Sequence, residues 1–301
     1  MKWIKRGRIF DPAGGHGWFV SHAALPVAVA QGDHHRVYFS GRDGARRARI
    51  GYFDVDLERP ERLLEVCAAP ILEPGPLGAF DDSGVTASCL VDLAGRRHHY
   101  YTGWSLGVTV PFYLAIGLAV ADDAGSRAER VSPAPVLGRS AADPYLTASP
   151  WVLVEDGRWR MWYVSGSRWQ REDGQAKHYY NVRYAESRDG THWDAPGTVC
   201  IDYASPAEHA FSRPCVIKDG DRYRMWYAFR GAAYRIGYAE SADGLRWERR
   251  DAEAGIEVSA TGWDAEMLAY PCVLDHRGRR YMLYNGNGFG ETGIGLAVLD
   301  A

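Results

Sequence analysis

Cysteine is scarce in this sequence, and its few copies are not spaced to bind a metal. The 301 residues include five Cys, an odd number that cannot pair completely in intramolecular disulfides. Cys89, Cys215 and Cys272 fall in short apolar runs of similar sequence, where a thiol behaves as a small buried hydrophobe. We therefore predict buried, reduced thiols, no metal site, no cofactor and a cytoplasmic location.

Excess basic charge and long apolar runs are also lacking. The chain carries 35 Lys and Arg against 38 Asp and Glu, a formal net charge of −3, whereas nucleic acids and anionic membranes are bound through clustered basic residues. No run approaches the roughly 20 apolar residues of a membrane span. The N-terminal sequence MKWIKRGR lacks the apolar segment of a signal peptide. We expect neither a nucleic-acid partner nor a membrane partner.

Helical periodicity is absent as well, and no glycine loop of the phosphate-binding kind lies between a strand and a helix. In the segment 222–247, Tyr223, Met225 and Tyr227 alternate with residues of the opposite face, which is the period of a strand. A second short strand follows at 236–239, and Asp243-Gly244 is a turn signal between strands. The segment predicts two strands and the start of a third.

This pair of strands recurs along the whole chain. The second strand of each copy begins about 60 residues after that of the copy before it. These strands begin at Ile50, Ile116, Val182, Ile236 and Ile294. A short apolar run precedes each pair, and we interpret these runs as innermost strands, at 24–30, 86–92, 148–156, 212–220 and 269–278. Four-stranded antiparallel repeats without helices predict an all-β five-bladed propeller, with residues 1–301 as a single domain. We expect residues 1–10 to pair with the last blade and close the ring, since that copy lacks an outer strand.

The segments that lead into the inner strands share a face with the long loops, which is where function concentrates on a rigid scaffold. Three acids of these segments, Asp82, Glu208 and Glu266, are the candidate catalytic residues. Cleavage of a glycosidic bond uses one carboxylic acid to protonate the leaving oxygen and another as base or nucleophile. Candidate substrate-binding residues on the same face are His22, Arg42, Trp104, Asp143, Arg213 and Tyr270.

Structural roles compete with these assignments. An Asp at the start of a strand can cap a turn with its own side chain, which applies to Asp82 and to Asp143 of an Asp-Pro pair. Arg213 can form a structural ion pair with neighbouring acids or can bind substrate. Asp189 and Asp243 belong to S-x-D-G-x-x-W turns and are assigned to the turns.

Several phrases of the sequence resemble one branch of known proteins. They are SHAALP (21–26), GAFDDSGV (78–85), RMWYVSG (160–166), SRPCVI (212–217), RIGYAESADGLRW (235–247) and YNGNGFG (284–290). The chain resembles the five-bladed propeller glycoside hydrolases, and most closely an uncharacterised glycosyl-hydrolase-like branch of them. That group includes arabinanases and β-xylosidases of family 43, invertase and levansucrase, and the family 130 phosphorylases. The resemblance implies a small-molecule or oligosaccharide substrate in a central channel, where some members hold a structural calcium.

The resemblance does not transfer the hydrolase residues one by one. Family 43 enzymes place Asp, Asp and Glu in the first three blades. Here the first inner strand offers His22, the second Asp82 and the third Asp143, and Glu appears only in the fourth and fifth, as Glu208 and Glu266.

Three hypotheses follow for the function. The first is a glycosidase with Asp82 as base and Glu208 or Glu266 as acid. The second is a phosphorylase or other transferase, with a cationic phosphate pocket drawn from Arg42, Arg168, Arg213 and Arg230. The third is an enzyme acting on another polar metabolite, or a propeller that only binds carbohydrate.

Overall fold

The computed structural model describes residues 1–122 and 125–300, and nearly all of its regular structure is β. This confirms the predicted all-β class. The strands are β1 (Trp3–Phe10), β2 (Ser21–Gln31), β3 (His34–Arg42), β4 (Ala48–Val55), β5 (Leu63–Val66), β6 (Gly84–Leu93), β7 (Arg96–Leu106), β8 (Phe112–Ala121), β9 (Ala128–Arg130), β10 (Thr147–Glu155), β11 (Arg158–Glu172), β12 (Gln175–Ser187), β13 (Trp193–Asp194), β14 (Val199–Ile201), β15 (Ala210–Asp219), β16 (Arg222–Arg230), β17 (Tyr234–Ser241), β18 (Glu248–Arg249), β19 (Ala269–His276), β20 (Arg279–Asn285) and β21 (Ile294–Leu299).

Helical structure in the described residues is limited to a 3₁₀ turn at Asp251–Glu253 and a short helical turn, α1, at Asn287–Gly290. None of it is long and apolar enough to cross a membrane. Asp123, the last residue of the 115–123 repeat segment, lies outside the described residues, as does Ala301 at the end of the predicted domain.

The strands pair antiparallel in chain order within each repeat. The sheets run β15-β16-β17-β18, β10-β11-β12-β13 with β14 also on β12, and β19-β20-β21-β1. The first two repeats share one sheet, because Ala48 of β4 and Gly84 of β6 form a single parallel pair. The N-terminal strand lies antiparallel on the last one, from Trp3 opposite Leu299 to Phe10 opposite Ile294. This pairing is the one expected for residues 1–10.

Each inner strand is bent by an irregularity in its pairing. The register shifts between Ala24 and Val27, and again at 87/89, 148/151, 212/215 and 269/272. In four of the five strands the residue just before a proline has a positive φ, namely Leu25, Ser149, Arg213 and Tyr270. Proline cannot donate to a ladder and is tolerated at a bulge. Each inner strand is therefore bulged near its start, and the residues before the shift still pair with the next strand of the repeat.

Aromatic side chains of the middle strands form the core between repeats. Trp162 and Trp226 are fully buried, and Trp162 donates its indole N–H to the carbonyl oxygen of Gly244 at 2.7 Å. Gly244 lies in the S-x-D-G turn of the next repeat, where the Asp243 carboxylate accepts the backbone N–H groups of residues 245 and 246. Asp243 therefore has the structural role expected from the sequence. The same arrangement recurs at Asp189.

The five cysteines are buried free thiols, as predicted. Two of them join neighbouring inner strands. Cys89 Sγ accepts the backbone N–H of Val152 at 3.2 Å, and Cys215 Sγ accepts that of Val273 at 3.1 Å. The inner strands lie next to one another in the order β2, β6, β10, β15, β19 and back to β2.

Candidate active site

A cavity of about 280 Å³ lies where the five inner strands begin. Each inner strand contributes to its wall, through Leu25, Thr86, Ser149, Ser212 and Tyr270. A larger depression of about 710 Å³ exists elsewhere, but a single repeat forms it, from the β10–β11 turn and the β12–β13 turn. We regard the shared cavity as the candidate site, because residues from every repeat converge there.

Hydroxyl groups form part of the cavity wall. Thr86 donates its hydroxyl to the Thr102 carbonyl oxygen at 3.3 Å, and the Thr102 hydroxyl accepts the backbone N–H of Ser149 at 2.8 Å. The Ser149 and Ser212 hydroxyl oxygens are 3.4 Å apart. These side chains offer donors and acceptors at short range to a polar ligand.

Aromatic rings also contribute to the wall, with Trp104, Tyr180, Tyr234, Tyr270 and Phe289. His178 stacks on Tyr180, with ring centroids 4.3 Å apart and planes 9° apart. Burial raises the pKa of Tyr270 to about 12, against the opposing positive charges of nearby arginines. Tyr270 is therefore a neutral hydroxyl at physiological pH, able to donate a hydrogen bond.

Arg230 and His178 line the cavity, and His22 and Arg42 lie where β2 begins. The guanidinium of Arg230 lies 5.7 Å from the Tyr234 ring centroid and 5.3 Å from that of Phe289. Burial lowers the pKa of His22 to about 4, assisted by the positive charge of Arg42 and opposed by the carboxylate of Glu291. His22 is therefore neutral at pH 7, and its Nδ1 lies 2.9 Å from the Ser21 hydroxyl.

Arg213 lies directly behind the wall and is fully buried. Its guanidinium donates to the carbonyl oxygens of Ala87 at 3.2 Å and Leu25 at 3.4 Å, and also to that of Pro26. The expected ion pair with an acid is not among its contacts in the described part of the chain. Arg213 instead connects β15 to β2 and β6 through backbone carbonyl groups.

The three predicted catalytic acids do not line the cavity. Asp82 accepts the Gly78 N–H at 3.0 Å and the Ser83 hydroxyl at 2.9 Å, which is the turn-capping alternative. Glu208 accepts two hydrogen bonds from Arg249, at 2.8 and 3.0 Å. Burial raises the pKa of Glu208, but the hydrogen bonds from Arg249 and from the Ala204 N–H, together with the Arg249 charge, leave that pKa below its usual value.

Glu266 is exposed, and the hydrogen bonds at this residue are made by its backbone. Of the predicted substrate-binding residues, Trp104 and Tyr270 line the cavity. His22 and Arg42 are not among the lining residues. Arg42 lies opposite Ser21 at the start of β2, and its positive charge lowers the pKa of both His22 and Tyr270.

Asp143 belongs to a buried polar cluster that recurs between repeats. Tyr163 donates its hydroxyl to Asp143 at 2.9 Å, and Arg183 lies 3.4 Å from the other carboxylate oxygen. Equivalent clusters are Asp81 with Tyr101 and Arg130, and Asp264 with Tyr284 and Lys5. In each cluster the Asp precedes its Tyr by 20 residues. That constant spacing is the sequence signal for a structural acid.

Several residues of the wall were missed from the sequence, including Thr86, Ser149, Tyr180, Ser212 and Phe289. Ser149 is the residue directly before Pro150 on its inner strand, and Ser212 is two residues before Pro214 on another. Alignment of the four residue–proline bends would have pointed to these positions. No such signal marks Phe289, which reaches the cavity from α1. Within the described residues, no group of three or more His, Cys, Asp and Glu is arranged to hold a metal ion.

Solved structures with this architecture include glycoside hydrolases. One of them, a protein described simply as a glycoside hydrolase, superposes with a TM-score of 0.78 at 18% identity, over 99% of this chain and 91% of that protein. A thermostable family-43 glycoside hydrolase gives 0.70 at 14% identity, over 93% and 89%. A Bombyx mori GH32 beta-fructofuranosidase in complex with sucrose gives 0.65 at 14% identity, over 97% and 63%. The chain has the glycoside hydrolase-like propeller fold.

Much closer relatives occur in Mycobacterium tuberculosis. The uncharacterized proteins MT1551 and Rv1502 are each 48% identical to this chain over 301 residues, covering all of it and all of the relative. The chain belongs to the family of these bacterial proteins. No family model matches the sequence.

Proposed function

We propose that this chain is a five-bladed propeller, closed by β1, that binds a carbohydrate in its central cavity. The cyclic order of the inner strands and the pairing of β1 with β21 support the five blades and the closure. A cytoplasmic location stays a prediction.

The observation that carries the proposal is the composition of the cavity wall. A sugar ring has apolar C–H faces and hydroxyl edges. Aromatic rings such as Trp104 and Tyr180 can cover the faces, while hydroxyl groups such as Ser149 and Ser212 can bond the edges. The volume of about 280 Å³ lies near the small end of the about 300–1,000 Å³ range of small-molecule sites. This size favours one sugar unit inside the cavity, with any further units outside.

Calorimetric titration with a panel of monosaccharides and oligosaccharides tests the binding. We expect saturable binding of at least one sugar, weakened about tenfold or more by Tyr180→Ala, because a buried ring contact contributes on the order of 1.5 kcal/mol or more. Tyr145 is exposed and does not line the cavity, so Tyr145→Ala is the matched control and should bind like the wild type. Equal weakening by both variants would contradict the proposed location.

Cleavage of a glycoside is the second candidate, and the position of His22 favours it. A neutral imidazole at the cavity edge, within the field of the Glu291 carboxylate, can accept or relay a proton. The assignment of Asp82, Glu208 and Glu266 as catalytic acids stays a prediction. Against it stand the contacts of Asp82 and Glu208, which engage their carboxylates elsewhere.

A panel of aryl glycosides and oligosaccharides, assayed with and without phosphate, separates these possibilities. Turnover lost in His22→Gln but kept in Asp82→Asn and Glu266→Gln would assign the chemistry to the cavity edge. Turnover lost in the carboxylate variants, with sugar binding intact, would support the assignment made from the sequence. Phosphate-dependent release would identify a phosphorylase. Sugar binding without turnover under any condition would leave the chain as a binding module.

A further inference from the structure

Two arginines have no acidic partner among the described residues: Arg230, which lines the central cavity, and Arg42, which lies opposite Ser21 where β2 begins. Several half-buried arginines elsewhere in the described chain are paired with acids, for example Arg130 with Asp81, Arg249 with Glu208 and Arg280 with Asp275. Neither Arg42 nor Arg230 has an ion pair or a side-chain hydrogen bond among the residues that the structure describes, although both are half-buried. An unpaired guanidinium that is only partly exposed is available to pair with the anionic group of a ligand.

The two guanidinium groups act on the same part of the cavity. Arg230 lines the cavity itself, and Arg42 lies opposite Ser21 at the start of β2. The positive charges of both arginines lower the pKa of Tyr270 in the cavity wall. Arg230 is held over the rings of Tyr234 and Phe289, which orient the guanidinium without neutralising its charge. The cavity wall contains no Asp or Glu from the described ranges 1–122 and 125–300. The charged side chain of the wall is therefore the positive Arg230, while Glu291, whose carboxylate acts on His22, lies outside the wall.

A positive, aromatic and hydroxyl-lined cavity selects a particular class of sugar. Guanidinium groups bind carboxylate and phosphate through paired, charge-assisted hydrogen bonds. We infer that Arg42 and Arg230 bind the phosphate or carboxylate group of an anionic sugar, whose ring lies against the aromatic wall. This inference rests on the proposed binding of carbohydrate in the cavity, and it names the substrate class.

Matched sugar pairs test the inference by calorimetry at low and high salt. The pairs are glucose with glucose 6-phosphate and glucuronate, galactose with galacturonate, and mannose with mannose 6-phosphate. We expect at least one anionic member to bind tenfold or more tightly than its neutral partner, with the advantage shrinking at high salt. Comparison of the 6-phosphate with the uronate tells which anionic group the site prefers.

Arginine variants then locate the anion. Arg42→Gln and Arg230→Gln should each remove most of the preference for the anionic sugar while leaving the affinity for the neutral partner within about threefold. Arg235 is half-buried and donates to two backbone carbonyl groups, so Arg235→Gln is the matched control and should keep the preference.

The possible outcomes separate this inference from the proposed function. Neutral and anionic partners that bind equally would overturn the inference and leave carbohydrate binding intact. Inorganic phosphate that binds as tightly as the sugar phosphates would also overturn it, since the arginines would then serve a free anion. If no sugar or oligosaccharide binds, neutral or anionic, both this inference and the proposed binding of carbohydrate are contradicted.

Discussion

Replacement of Arg213 by methionine is expected to lower the free energy of unfolding by about 3 kcal/mol, because it leaves buried backbone carbonyl groups of β2 and β6 without their donor. Arg213 is fully buried and bonds the carbonyl oxygens of Leu25, Pro26 and Ala87. Methionine fills a similar length of channel without the donors. Urea denaturation of the two proteins measures the change.

A surface arginine provides the control for this substitution. Arg222 is exposed at the start of β16 and lies 3.6 Å from Glu240, so Arg222→Met should change the free energy of unfolding by less than about 0.5 kcal/mol. If Arg213→Met unfolds like the wild type but loses sugar binding, Arg213 contacts the ligand. That result would support the role assigned to it from the sequence and contradict the structural one.

Acidification is expected to destabilise the protein well above the pH at which carboxylates titrate. Burial lowers the pKa of His99 to about 3. Arg97 and His98 lower this pKa further, whereas the Asp92 carboxylate raises it. In the unfolded chain this imidazole takes up a proton near pH 6.5, whereas in the folded chain it stays neutral. Its stabilising contribution is therefore complete above pH 6.5 and is lost as the pH falls towards 3. His22, His35 and His178 act in the same direction.

The slope of stability against pH isolates the effect of His99. Between pH 6 and 4, His99→Phe should flatten that slope by up to about 1.4 kcal/mol per pH unit. The ring of His99 packs edge-on against Tyr38 with centroids 4.8 Å apart, and phenylalanine keeps a ring of similar size there. NMR titration of the His99 ring protons in the folded protein should show no midpoint above pH 5. A midpoint near 6.5, or parallel stability curves, would contradict the role of burial.

The strand architecture could be predicted from the sequence repeats, because each repeat shows the alternation of a β-strand and a recognisable turn. The alternation at Tyr223, Met225 and Tyr227 and the turn at Asp243-Gly244 predicted a strand pair that the structure contains as β16 and β17. The N-terminal strand could be placed because the last repeat lacked an outer strand. Its pairing with β21 is observed. Backbone hydrogen bonding imposes these features wherever the pattern occurs.

The candidate site was predicted less well from the sequence, because the position of a residue along a strand does not fix the direction of its side chain in space. Asp82 and Glu208 were predicted from their place in the segments that lead into the inner strands, but their carboxylates are bonded to a turn and to Arg249. The bends just before the prolines decide which side chains reach the cavity, as for Ser149 and Tyr270. Hydrophobic periodicity does not show where the pairing register of a strand shifts. It also does not show that Phe289 of α1 contributes to the cavity.

The cavity at the start of the inner strands is expected to hold a sugar, and a crystal structure of the protein soaked with the tightest-binding sugar of the panel tests this most directly. We predict a sugar ring against Trp104 or Tyr180, hydroxyl groups within hydrogen-bond distance of Ser149 or Ser212, and any anionic group beside Arg230. A sugar bound only outside this cavity, or at the 710 Å³ depression of the β10–β13 repeat, would contradict the proposed binding site.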